Sequence, residues 1–173
     1  MVIFKNISNF SNTSDYLPII NGVLLVETII LGLALVQLKH SKYLRYWYKV
    51  YGLSAVLAEV TLVTIGIVLT RFVYHYFFNT FSIWTFTLLA IAIQITHDLL
   101  FYSYLRIIPY NTNLMFDIFK KYTNETGLIA IFRDSIIMAS SCLSASYLAT
   151  QSLNINIINL LVTLYIVPYA LHA

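Results

Sequence analysis

The sequence predicts an all-α polytopic membrane protein, a single transmembrane bundle of five helices with one further helix lying in the membrane interface. Three observations carry this. Sixty per cent of the 173 residues are hydrophobic and only 10% are charged, whereas a soluble domain needs roughly 25% charged residues to cover its surface. Five segments, at 17–38, 50–70, 81–105, 127–149 and 155–171, are each long and apolar enough to span, about 20 residues being needed to cross roughly 30 Å of hydrocarbon. Those runs lack the ten-residue polar alternation of barrel strands, and isolated strands cannot satisfy their backbone in lipid, so helices are expected.

The first span is expected to be a retained anchor, because the sixteen residues before it are polar and carry only Lys5 as a basic group, unlike a cleavable signal. Lys39, Lys42, Arg45 and Lys49 follow the first span, and Arg106, Lys120 and Lys121 follow the third; the other side has only Lys5 and Arg71. By the positive-inside rule the amino terminus is outside or lumenal and the carboxyl terminus cytoplasmic. Tyr43, Tyr46, Trp47, Tyr48 and Tyr51 form an aromatic belt at one interface, and Tyr74, Tyr76 and Phe77 one at the other. Three tandem glycosylation acceptors, starting at Asn6, Asn9 and Asn12, stand on the side expected to be lumenal.

Between the third and fourth spans the chain is too polar to cross. Leu114, Met115, Ile118, Phe119 and Tyr122 recur at helical spacing while Asp117, Lys120, Lys121 and Asn124 take the other side, which predicts an interfacial amphipathic helix over about 112–124. Asn111 or Thr112 would cap its start and Gly127 its end. Met115, Phe116, Phe119, Lys120 and Lys121 are its candidate partner-docking residues.

Ionisable groups inside the spans are the candidate functional residues: Glu27 in the first, Glu59 in the second, His97 and Asp98 in the third, Arg133 and Asp134 in the fourth. A charged residue at the centre of a span costs roughly 2.5–3.5 kcal/mol by insertion scales, which makes the fourth span the weakest alone. From a rise of about 1.5 Å per residue, Asp98 and Arg133 lie at matching depth, and they are the expected buried ion pair. Gln94 shares a helix face with His97 and Asp98. Glu59 shares one with Gly52, Ala55 and Gly66, and Asp134 one with Ala130, Ser141 and Ala145, so both acids are expected to point into the bundle. Four carboxylates against Arg133 and a conditional His97 would leave a net negative charge in a low dielectric. Some are therefore expected to hold protons, Glu27 and Glu59 foremost, which is what a proton or cation pathway uses. The alternative is a purely structural role, locking the register of the bundle or of an oligomer.

Other classes are poorly supported. The basic residues form no long patch of the kind that tracks a phosphate backbone, so nucleic acid is not an expected partner. The single Cys142 allows no intrachain disulfide. No second histidine stands near His97 at ligand spacing, and no HExxH, GxSxG, CxxC or Gly-rich phosphate loop occurs. Neither an enzyme, nor a metal site, nor a cofactor is expected.

The stretch from His97 to Gly127, with His97-Asp98-Leu99-Leu100-Phe101-Tyr102, then Pro109, Asn113, Met115, Phe119-Lys120, Tyr122, Glu125 and Gly127, resembles small multi-span membrane proteins of large DNA viruses of the mimivirus and algal-virus kind. The resemblance covers about thirty residues and continues weakly through Arg133-Asp134-Ser135, where those proteins have a small residue in place of Arg133. It implies a viral membrane protein, of a virion's internal membrane or of assembly membranes, with the bilayer, further copies of itself or other viral membrane or capsid proteins as partners. It implies no reaction. Two functions follow as expectations: a non-enzymatic structural or assembly component of such a membrane, or a small proton or cation channel or transporter subunit.

Overall fold

The computed structural model describes residues 3–36 and 41–172. Seven helices follow one another there: α1 (Tyr16–Val36), α2 (Lys42–Tyr51), α3 (Leu53–Phe77), α4 (Ile83–Ile107), α5 (Leu114–Thr126), α6 (Leu128–Leu148) and α7 (Leu153–Leu171). Among the described residues there is no strand. Five of the helices, all but α2 and α5, are long and apolar enough to cross a membrane. The chain is thus a multi-pass membrane protein. The expected end of the first span at 38, and Lys39 of the basic loop, lie outside the described residues.

Two boundaries differ from expectation. The second span starts later, because Gly52 adopts φ 51° and ψ −128°, a conformation that only glycine reaches without strain. It also ends later, at Phe77, because Arg71 is not a loop charge. That arginine is fully buried. The chain before α1 folds back over this end of the bundle and receives it: Arg71 Nη2 donates to the carbonyls of Asn9 at 2.5 Å and Asn12 at 2.8 Å. The guanidinium stands 3.7 Å from the buried Asp15 carboxylate and over the Tyr16 ring at 4.7 Å. Lys5 pairs with the same carboxylate at 2.8 Å, and Ser146 Oγ donates to the Lys5 carbonyl at 2.7 Å. We call this the N-terminal end.

Helix α1 is the centre of the bundle, packed against α6, α7 and α3. A methyl group added at Gly22 would stand 2.6 Å from the backbone nitrogen of Ala145 on α6, so the two backbones touch there, as small residues permit in lipid. Asn21 donates to the Asn156 carbonyl at 2.9 Å and accepts from Asn159 at 2.7 Å, which fastens α1 to α7. Val23, Ile67, Phe86, Met138 and Cys142 fill the core between these contacts.

At the opposite end α2 and α5 lie against each other. Trp47 of α2 and Ile118 of α5 are buried together, the Trp47 and Phe119 rings are 4.9 Å apart, and Ser41 Oγ donates to the Glu125 carboxylate. The cap of α5 is Asn113, whose Oδ1 accepts from the Met115 N–H at 2.8 Å. Neither Asn111 nor Thr112 is the cap, since Asn111 is in a left-handed turn at φ 67°. Gly127 closes α5 as expected, at φ 53° and ψ −132°.

These two glycines expose a repeat. An amphipathic helix, a glycine of one and the same conformation, then two spans: α2–Gly52–α3–α4 and α5–Gly127–α6–α7 have this order in common. The sequences after the glycines agree as well. Gly52-Leu53-Ser54-Ala55-Val56-Leu57-Ala58-Glu59 and Gly127-Leu128-Ile129-Ala130-Ile131-Phe132-Arg133-Asp134 match as Gly-Leu-x-Ala-β-branched-x-x-acid at a constant offset of 75 residues. Ala55 and Ala130 are both buried, and Leu53 and Leu128 both exposed.

Candidate functional site

The carboxylates expected inside the spans gather in the half of the bundle nearest α2 and α5. Glu59, about two turns beyond Gly52 on α3, is met by α2 folding back over it. Trp47 Nε1 donates to Glu59 Oε1 at 3.1 Å, and the Tyr48 hydroxyl donates to the other carboxylate oxygen. Burial, then the Glu59 charge it faces, pushes the Tyr48 phenol above its ordinary range.

Glu27 of α1 is 4% exposed and lies within electrostatic reach of Glu59 and Asp134. Among the described residues it has neither a hydrogen-bond partner nor an ion-pair partner. Asp134, at the place in the second repeat that Glu59 holds in the first, is also within reach of Asp98. Facing it from α5 is Tyr122, whose phenol is pushed up to about 12 by burial and then by the Asp134 charge. On α4, Gln94 bridges two helices: its Nε2 donates to the Asp98 carboxylate, and its Oε1 accepts from Ser135 Oγ of α6 at 3.1 Å.

The expected Asp98–Arg133 ion pair does not form. Among the described residues the ion pairs are Lys5–Asp15, Arg71–Asp15 and His97–Asp98, the last at 3.2 Å. The reason is angular. Ser135 is the α6 residue that meets α4 at this level, and a residue two positions earlier points about 200° away around the helix. Matching depth therefore did not bring Arg133 to Asp98. His97 sits at the edge of the site, with its side chain 44% exposed and its ring stacked on Phe101 at 6.1 Å.

The α5 residues expected to dock a partner are largely used within the chain. Met115 and Phe119 pack on the Trp47 cluster, Phe116 meets Tyr104 at 5.8 Å, and the buried Lys120 donates to the Ile108 carbonyl. Of the five, Lys121 is the exposed one. The apolar stripe of α5 was legible, but the second amphipathic helix that covers it was not. Trp47, Tyr48, Tyr122 and Ser135 are the site residues that sequence reasoning passed over. The aromatic ones have the spacing of belt or stripe residues, and the signal that marks them is the offset of 75 residues, which sets Tyr122 twelve before Asp134 as Trp47 stands twelve before Glu59.

What the arrangement can do follows from charge. Carboxylates brought together away from water, with a hydroxyl and an indole as donors and the Arg133 charge within reach of Asp134, are groups able to take up and release protons. No three side chains of His, Cys, Asp or Glu among the described residues converge as metal ligands. No family model matches the chain, and no curated protein or solved structure matches it either.

Proposed function

We propose that this multi-pass membrane protein binds protons at the Glu27–Glu59–Asp134 cluster and uses them in proton-coupled transport, in a state closed toward the N-terminal end. The observation that carries the reading is Glu27: a buried carboxylate within electrostatic reach of two others, with no ion-pair partner among the described residues. Intramembrane acids so placed are typical of proton relays. Glu59 and Asp134 occupy matching places in two parallel repeats, and substrate and ion sites of repeat-built transporters lie at the repeat interface. The apolar core and the folded N-terminal segment shut the other side. In proteoliposomes containing a pH-sensitive dye, wild-type protein should pass protons down an imposed gradient, and Glu27→Gln and Glu59→Gln should abolish the flux while leaving the fold intact. No flux from the wild type over a range of pH and voltage overturns the reading.

A second reading is a structural component of a viral membrane. It is favoured by the resemblance at His97–Gly127 and by polar locks between helices such as Asn21–Asn156. It expects abundance in purified particles and no ion flux. Either reading carries the same proposed orientation, with the α2/α5 end cytoplasmic. Lys42, Arg45, Lys49, Arg106, Lys120 and Lys121 all lie at that end, whereas the other has Lys5 and Arg71, which share the Asp15 carboxylate.

A further inference from the structure

A cavity of about 190 Å³ opens where α4 runs into the loop before α5, walled by Tyr102, Leu105, Arg106, Tyr110, Lys120 and Thr123. It is independent of the carboxylate cluster. Its charge has one sign. The Arg106 guanidinium lies over the Tyr102 ring at 4.9 Å and the Lys120 ammonium over the Tyr110 ring at 4.6 Å. Both acids of α5 are engaged elsewhere, Asp117 accepting from the Asn111 N–H at 3.0 Å and Glu125 from Ser41.

The two cations differ in a way that makes a site rather than a charged surface. A lysine at a membrane interface ordinarily swings its ammonium out to water. Lys120 is instead 7% exposed, held in the wall by the Ile108 carbonyl, with further N–H donors to give. Arg106 is exposed and makes no hydrogen bond among the described residues, so its planar fork is open to a bidentate acceptor, the geometry that suits a phosphate. The span ends at Ile107. That puts the cavity at the depth where hydrocarbon gives way to headgroups, and basic pockets there suit anionic lipid heads.

We propose that this cavity binds a phosphate group, that of an anionic phospholipid headgroup, between Arg106 and Lys120. General attraction of cations to an anionic surface would be common to all basic residues at this end. A site would not be: it depends on these two. The test reconstitutes the full chain in phosphatidylcholine nanodiscs with and without phosphatidylglycerol, reads retained lipid by native mass spectrometry, and adds glycerol phosphate in a parallel arm. Arg106→Gln should cut phosphatidylglycerol retention about fivefold or more with no change in melting temperature, and Arg106→Lys should restore part of it. Arg45→Gln, which removes an exposed cation on the same end, should leave retention unchanged. Binding of glycerol phosphate that needs Arg106, without retention of the lipid, supports the phosphate site and assigns it to a soluble ester. Retention that is indifferent to Arg106→Gln, or that falls as much with Arg45→Gln, overturns the proposal. Lys120→Gln, checked for folding by the same melting curve, should lower retention as Arg106→Gln does, and unchanged retention in the folded variant overturns the site.

Discussion

Trp47 and Glu59 are joined across the Gly52 turn by a hydrogen bond of 3.1 Å from indole to carboxylate. An interfacial helix is thereby tied to an acid inside the span that follows it. Its stability and the state of the acid are one equilibrium, since whatever changes the carboxylate changes what α2 rests on.

The first prediction concerns that tie. With Trp84 replaced by Phe, Trp47 is the sole tryptophan and reports on α2 by fluorescence. Glu59→Gln keeps an acceptor and should leave the emission near wild type. Glu59→Leu removes it, leaves a buried indole N–H and a phenol unanswered at about 1–3 kcal/mol each, and should shift Trp47 emission to the red as α2 lifts. An unchanged spectrum in Glu59→Leu would show that the apolar contact with Ile118 and Phe119 holds α2 by itself.

The second concerns Arg71 and Asp15, both fully buried. Removing one partner of a buried pair costs about 3–5 kcal/mol, while replacing both by apolar groups of similar size is often neutral. Arg71→Met should therefore lower the melting temperature of the detergent-solubilised protein sharply, and Arg71→Met with Asp15→Leu should recover part of the loss. Equal melting of the single variant and wild type would mean that the N-terminal segment contributes nothing to the folded state.

Gly22→Ala is the third. Its new methyl meets backbone, at 2.6 Å from Ala145 N and 2.8 Å from Ala145 Cα, so no side chain can swing away to make room. Overpacking of this kind costs about 1–3 kcal/mol. Gly32→Ala, at a position with open space around it, is the control and should melt like wild type.

The fourth is a pH dependence. In the folded protein burial and Asp134 raise Tyr122 to about 12, above the usual tyrosine value of about 10. A group whose folded value is the higher one contributes stability that is present below the unfolded value and lost as pH rises through the folded one. Unfolding should therefore become easier between pH about 10 and about 12, and Tyr122→Phe should flatten that part of the curve. A Tyr122→Phe profile superimposable on wild type would sink the assignment.

The spans were legible because length and hydropathy are enough to define a membrane helix, and the buried acids because lipid makes each of them costly. What hydropathy does not carry is direction around a helix. Depth alone suggested Asp98–Arg133, but Ser135 faces Gln94 and turns Arg133 aside. Charge counting took Arg71 for a loop residue, since nothing in its neighbours announced that Asn9, Asn12 and Asp15 would fold back to meet it. Helix α2 was hidden by its own composition: seven of its ten residues are aromatic or apolar and three are basic, which reads equally as belt and loop until Gly52 is seen to separate it from α3. The repeat escaped for a related reason, because its identities are a glycine, a leucine and an alanine, common residues in any membrane helix.

The packing around α1 sets a schedule for biosynthesis. Helix α1 is made before α2 to α7 and has its broadest contacts with α6 and α7. Until α7 arrives, Asn21 lacks the Asn156 and Asn159 groups that answer it, and a nascent chain stalled after α4 holds it without them. Membrane quality control that reads unsatisfied polar groups should therefore recognise a chain halted before α7.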